Sequence, residues 1–131
     1  MLLTGDALVT RNPLTGRIGP QVMPAAFNTD STVALESLAS LERATASTVL
    51  PGHGIPGGPE VLAGQALYMT ELRKAVQSAI DQGKKLPDFK TSLQLPDSVK
   101  NWTGPSLPAQ VQDTYEEITQ GKPHGEILGG K

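Results

Sequence analysis

Two residues of this sequence could do chemistry, an aspartate and a histidine that each follow a glycine. Asp6 ends the segment Leu-Thr-Gly-Asp at residues 3–6, and His53 lies in Pro-Gly-His-Gly at residues 51–54. Carboxylate oxygens and imidazole nitrogens are both ligands for zinc and related ions. Taken singly, each motif has a simpler interpretation, because Gly-Asp commonly forms a turn and a histidine between glycines is commonly a surface residue.

Short β-type segments position both motifs. Residues 2–4 and 7–10 are expected to be strand pieces broken at Gly5 and Asp6, and residues 47–50 a further strand that stops at Pro51. Open α/β sheets bind ligands beyond the carboxyl ends of their strands. The sequence therefore predicts that Asp6 and His53 each lie just beyond a strand, where a ligand could reach them.

Three helices are predicted from apolar spacing and end signals. One begins near Asp30, which can cap its first turn, and buries Ala34, Leu38 and Leu41. The clearest starts at Pro59, ends at Gly83, and buries a stripe of five residues, Leu62, Met69, Leu72, Val76 and Ile80. A third runs from Pro108 to Thr119, with Val111, Tyr115 and Ile118 on one face. The element order indicates an α/β fold with very little sheet of its own.

Composition excludes several classes of function. The 131 residues suit one domain, and the 11 basic residues are scattered in a chain of net charge -2, so no nucleic-acid surface is expected. There are no cysteines, which excludes disulfides and thiolate metal sites and fits a reducing, cytoplasmic compartment. No apolar run is long enough for a membrane span, and no signal peptide is expected.

Together the two motifs resemble a known family. Thr-Gly-Asp-Ala-Leu at residues 4–8 and Leu-Pro-Gly-His-Gly at residues 50–54 are similar to metal-ligand motifs of the metallo-β-lactamase-fold hydrolases. Glyoxalase II and related thioesterases, lactonases and nucleases belong to that superfamily. Residues 27–30, residues 37–42 and the Gly-Gly pair at residues 57–58 also look like bacterial members.

The resemblance implies a fold and a site. Residues 1–85 would be the C-terminal half of the αββα sandwich, and residues 86–131 a loop-rich C-terminal extension with one short helix. Asp6 would bridge two metal ions, and His53 would bind the second of them. The ions would be zinc, iron or manganese, and the complete enzyme would hydrolyse esters, thioesters or lactones of a small-molecule substrate.

The chain also departs from the family pattern. The family's principal motif, His-x-His-x-Asp-His, precedes the Gly-Asp motif, but the two histidines of this sequence are His53 and His124. A catalytic zinc takes three protein ligands and a water. We therefore expect the chain to be inactive alone. It would be a fragment, a subunit that complements an N-terminal half, or, alternatively, a non-catalytic interaction or structural module.

A half of a sandwich leaves strand edges and apolar surface uncovered. Such surfaces drive pairing with another chain. The sequence therefore predicts self-association or a complementing N-terminal half. The apolar strand residues expected to be uncovered are Leu2, Leu3, Leu8, Val9, Val49 and Leu50.

Overall fold

The computed structural model describes residues 1–9, 31–53, 56–100 and 107–121. Within these ranges the fold is mixed α/β, mostly helical, with two short strands. Its elements in chain order are β1 (Leu2–Val9), α1 (Ser31–Glu42), β2 (Val49–His53), α2 (Glu60–Asp81), α3 (Leu86–Phe89), α4 (Asp97–Lys100) and α5 (Leu107–Gln120).

The two strands are parallel neighbours. Leu2 lies opposite Val49 at one end of the pairing, and Val9 lies opposite His53 at the other. The register shifts between Leu3 and Gly5 and again between Gly5 and Val9. Pro51 lies opposite Gly5. Because proline has no N–H to donate to the neighbouring strand, the pairing of β1 with β2 is irregular at this point.

This pairing corrects two expectations about the strands. The predicted break at Gly5 and Asp6 is wrong, because β1 continues through both residues as one strand. The predicted stop at Pro51 is also wrong, because β2 continues to His53. The register shifts fall on either side of the Gly5–Pro51 pair, and both strands continue past it.

A first apolar cluster, which we term the sheet core, packs α1 and the first half of α2 against β2. Its buried residues are Leu38, Val49, Leu62 and Met69. Ala34 and Leu41 pack against them, which confirms the predicted face of α1. The proposed capping residue Asp30 lies outside the described residues.

The six strand residues expected to be uncovered differ in exposure. Leu3 is 71% exposed, as expected, whereas Val49 is fully buried, which contradicts the expectation. Val49 is covered because α1 and α2 both pack on this side of the sheet. Leu2 and Leu50 are half-buried, and the side chains of Leu8 and Val9 lie outside the described part.

Helix α2 is the longest element and follows its sequence signals closely. It begins at Glu60, directly after Pro59, and Leu62, Met69, Leu72 and Val76 of the predicted stripe are buried. Gly83 has a φ of +75°, which favours glycine, and its N–H donates to the Ile80 carbonyl at 2.8 Å. The predicted end of the helix is confirmed.

A second apolar cluster, the helical core, packs α2 from Tyr68 onward against the C-terminal helices. Its buried residues are Tyr68, Leu72, Val76, Ala79, Phe89, Leu95, Val99 and Val111. The Tyr68 hydroxyl donates to Gln110 Oε1 at 2.5 Å, and Arg73 Nη1 lies 2.8 Å from Glu117 Oε1. Both contacts join α2 to α5.

The C-terminal helices were foreseen in part. The predicted α5 is confirmed, with Val111 buried and Tyr115 and Ile118 packed against the helical core. The short helices α3 and α4 were missed. A local signal for α3 exists in Asp88, whose Oδ2 accepts a bond from the Lys85 N–H at 2.8 Å in the first turn.

Candidate functional site

The two predicted ligands lie on adjacent parallel strands. Asp6 falls in the irregular part of β1, between Gly5, which lies opposite Pro51, and Val9, which lies opposite His53. His53 is the last residue of β2. The pairing therefore brings the backbones of the two motifs to the same stretch of the sheet, at the carboxyl end of β2.

Both residues lie within strands, which corrects their expected placement just beyond strand ends. Asp6 is inside β1, and His53 closes β2. The strands are longer than expected because the pairing extends through the glycines and Pro51. For Asp6 and His53 the structure describes the backbone, so their role as ligands stays a prediction.

Thr4 ties the two strands together beside this site. Its Oγ1 donates to the Leu50 carbonyl at 3.1 Å, and the residue is only 9% exposed. The bond crosses between the strands next to the first register shift, one residue before Gly5. The sequence does not predict this hydrogen bond, because Leu50 is 46 positions away from Thr4 along the chain.

The chain returns to β2 soon after His53. Val49 N–H donates to the Gly57 carbonyl at 2.8 Å, and Gly57 N–H donates back to the Val49 carbonyl at 3.1 Å. These two bonds form an antiparallel bridge on β2. Gly58 N–H then donates to Glu60 Oε1 at 2.8 Å at the start of α2.

No protein-family model matches this chain, and no curated protein matches it either. The site must therefore be interpreted from its own residues and geometry.

The donor set fits part of a metal site. Asp6 and His53 are suitable donors for zinc, iron or manganese. In the ranges that the structure describes, no group of three or more His, Cys, Asp or Glu side chains is placed to hold an ion. Two donors are fewer than the three protein ligands of a catalytic zinc. Asp6 and His53 alone therefore supply too few donors for a dinuclear centre.

His124, the other histidine of the sequence, lies outside the described residues.

The electrostatic feature that stands out lies in the helical core. Burial raises the pKa of Tyr68 to about 12, because ionisation would place a negative charge among apolar side chains. The Tyr68 hydroxyl donates to Gln110, so it has a structural partner in α5. This tyrosine belongs to the packing of α2 and not to the Asp6–His53 site.

An open groove of about 390 Å³ runs along α2 beside Leu35. The two cationic side chains that line the groove already have acidic partners. Arg73 pairs with Glu117 and Lys74 pairs with Glu71, each at 2.8 Å. The groove thus presents already paired cations and offers a weaker case for ligand binding than the strand site.

Among the described residues, no helix is both long enough and apolar enough to cross a membrane.

Proposed function

We propose that this chain is the C-terminal half of a metallo-β-lactamase-fold, metal-dependent hydrolase. It would contribute Asp6 and His53 to a metal site whose other donors come from a complementing N-terminal half. The observation that carries this proposal is the parallel pairing of β1 with β2, which sets the Gly-Asp strand beside the strand that ends in His53.

The small size of the sheet within the described residues supports the need for a partner. Parallel strands usually belong to larger sheets that are covered on both faces, and a sheet of two strands is marginal alone. Leu3 on β1 is 71% exposed, and Met1 beside it is 80% exposed. A complementing half, or a second copy of the chain, would cover these apolar side chains.

The donor count supports inactivity of the chain alone. When bound in a complete site, zinc, iron or manganese would supply activated water and would stabilise negative charge during hydrolysis. The residues of this chain would hold one side of that site. Without further donors, Asp6 and His53 can at most hold an ion weakly.

Metal titration by calorimetry tests the assignment. We expect weak Zn²⁺ binding to the wild-type chain that is lost in Asp6→Asn and in His53→Ala. Asp6→Asn keeps the side-chain shape but removes the charge, and His124→Ala is the matched control that should bind like wild type. Equal binding by His53→Ala would contradict the ligand assignment. No binding at all would favour the alternative, a non-catalytic interaction or structural module.

Hydrolysis assays test the second part of the proposal. The chain supplied with Zn²⁺ or Mn²⁺ should show no turnover of thioesters, lactones or phosphodiesters above background. Turnover that His53→Ala abolishes would overturn the claim of an incomplete site. Sequencing of the DNA upstream of this reading frame is the complementary test, because the proposal expects His-x-His-x-Asp-His to be encoded there or in a neighbouring frame.

A further inference from the structure

Gly57 closes the segment of chain that carries His53. Val49 begins β2, His53 ends it, and Gly57 lies beside Val49 again through two backbone hydrogen bonds of 2.8 and 3.1 Å. His53 is four residues from each side of this bridge. Val49 is itself fully buried and pairs with Leu2 on its other side. The bridge therefore anchors both ends of the segment to a buried residue of the sheet core.

The bridge requires a residue without a side chain at position 57. A Cβ built on Gly57 would lie 2.5 Å from Val61 Cγ1, far inside normal contact. Val61 cannot easily move away, because it packs against the sheet core and its β-branched side chain has one preferred rotamer in a helix. A side chain at position 57 would therefore push the bridge away from Val49.

The neighbouring Gly58 is under a different constraint. A Cβ there would meet Glu60 Oε2 at 2.2 Å, but that atom is the far end of a flexible side chain. Glu60 could swing aside at the loss of its bond to the Gly58 N–H. The bridge to Val49 would remain, since Gly58 takes no part in it. Gly58 is thus a natural control for Gly57.

We propose that Gly57 is a positioning residue for His53. By closing the chain against Val49, it fixes the backbone from which the histidine extends. This inference rests on the proposed function only in treating His53 as a ligand. The effect of Gly57 on the position of His53 does not itself require a metal.

The experiment compares wild type with four variants, Gly57→Ala, Gly58→Ala, Val61→Ala and the double variant Gly57→Ala/Val61→Ala. The first readout is the imidazole NMR signal of each histidine in the metal-free protein, with His124 as the internal reference. We expect Gly57→Ala to shift the His53 signal and to leave that of His124 unchanged. Gly58→Ala should leave both signals unchanged. The double variant should return to the spectrum of Val61→Ala, because the Cγ1 atom responsible for the clash is gone.

The second readout is the Zn²⁺ concentration that produces half of the change in the His53 signal. Residues that orient a ligand typically affect metal affinity by about 10–100-fold. We expect a loss of about 10-fold or more in Gly57→Ala, with recovery in the double variant. A purely structural role would lower the melting temperature while the folded protein kept the wild-type His53 signal and Zn²⁺ response.

Each outcome decides a separate claim. An unchanged His53 signal in folded Gly57→Ala, or an equal shift in Gly58→Ala, would overturn the positioning role. If Gly57→Ala does not fold, the double variant still decides, because a His53 signal that differs from that of Val61→Ala would overturn the proposed clash. If wild type shows no response to Zn²⁺ but Gly57→Ala still shifts His53, the metal function fails and the positioning role stands.

Discussion

The sheet core and the helical core divide the molecule into a region with candidate chemistry and a region with dense packing. Among the described residues, the sheet core has four buried residues, and the side chain of Thr4 bonds to Leu50 across the two strands. The helical core has eight buried residues, and side-chain contacts from Tyr68 to Gln110 and from Arg73 to Glu117 cross between its helices. The two candidate motifs therefore lie beside the smaller of the two cores in the described residues.

The largest expected effect contrasts the two cores on a single helix. Leu62 and Leu72 both lie in α2 and are each 1% exposed, but Leu62 belongs to the sheet core and Leu72 to the helical core. Truncation of a buried leucine to alanine costs roughly 2–5 kcal/mol, and the cost rises with the cavity that remains. We expect Leu72→Ala to lie near the top of that range and Leu62→Ala near the bottom, measured by urea denaturation. Equal losses would show that the two cores are equally consolidated.

The next effect concerns the hydroxyl of Tyr68. Tyr68→Phe removes the donor to buried Gln110, and an unsatisfied buried polar group costs about 1–3 kcal/mol. Tyr115→Phe is the matched control for loss of a tyrosine hydroxyl. If Tyr115→Phe destabilises the protein as much as Tyr68→Phe, the contact with Gln110 is not a main support of the helical core.

The same tyrosine gives a pH dependence with a definite sign. The pKa of Tyr68 is raised from 10.0 to about 12 by burial, so the unfolded state ionises before the folded state as the pH rises. The stability associated with Tyr68 should be complete below pH 10 and should fall between pH 10 and 12. Denaturation midpoints measured across this interval should fall less steeply in Tyr68→Phe. Parallel curves would contradict the burial argument.

Thr4 should have a smaller effect, confined to the strands. Thr4→Val keeps the shape of the side chain and removes the hydroxyl that donates to Leu50, at an expected cost of about 1 kcal/mol. Thr4→Ser retains the hydroxyl and is the control. Hydrogen exchange should become faster in β1 and β2 of Thr4→Val while α5 keeps its protection. Uniform acceleration in all elements would mean that the sheet region does not open separately.

The smallest effect is expected at the candidate ligand. His53→Ala should change the free energy of unfolding by no more than about 0.5 kcal/mol, because we expect this histidine to serve a site and not the packing of the fold. Leu72→Ala is the reference for a large loss in the same urea titration. A loss of several kcal/mol in His53→Ala would mean that the histidine supports the fold, and its assignment as a free ligand would fail.

The sequence predicted those parts of the fold that depend on local spacing. The stripe from Leu62 to Val76 and the left-handed end at Gly83 both follow from neighbours in one helix. The continuity of β1 through Gly5 could not be predicted in this way, because it depends on pairing with β2.

Side-chain contacts between segments that are distant in the sequence could not be predicted either. The bond from Thr4 to Leu50 spans 46 positions, and the bond from Tyr68 to Gln110 spans 42. For the candidate site, residue types pointed to Asp6 and His53. The bridge at Gly57 could not be predicted, because it depends on the path by which the chain returns to Val49.

The way in which α2 is shared between the two cores determines where the chain could be shortened. Residues after position 85 provide one wall of the helical core, and α2 provides the other. A fragment that ended at residue 85 would expose Tyr68, Leu72, Val76 and Ala79 along one side of its last helix. Short helices without a packed face are marginal in water, so the second half of α2 would fray. The boundary expected between residues 85 and 86 is thus a poor place to truncate the chain, since a fragment that ended there would be prone to aggregate.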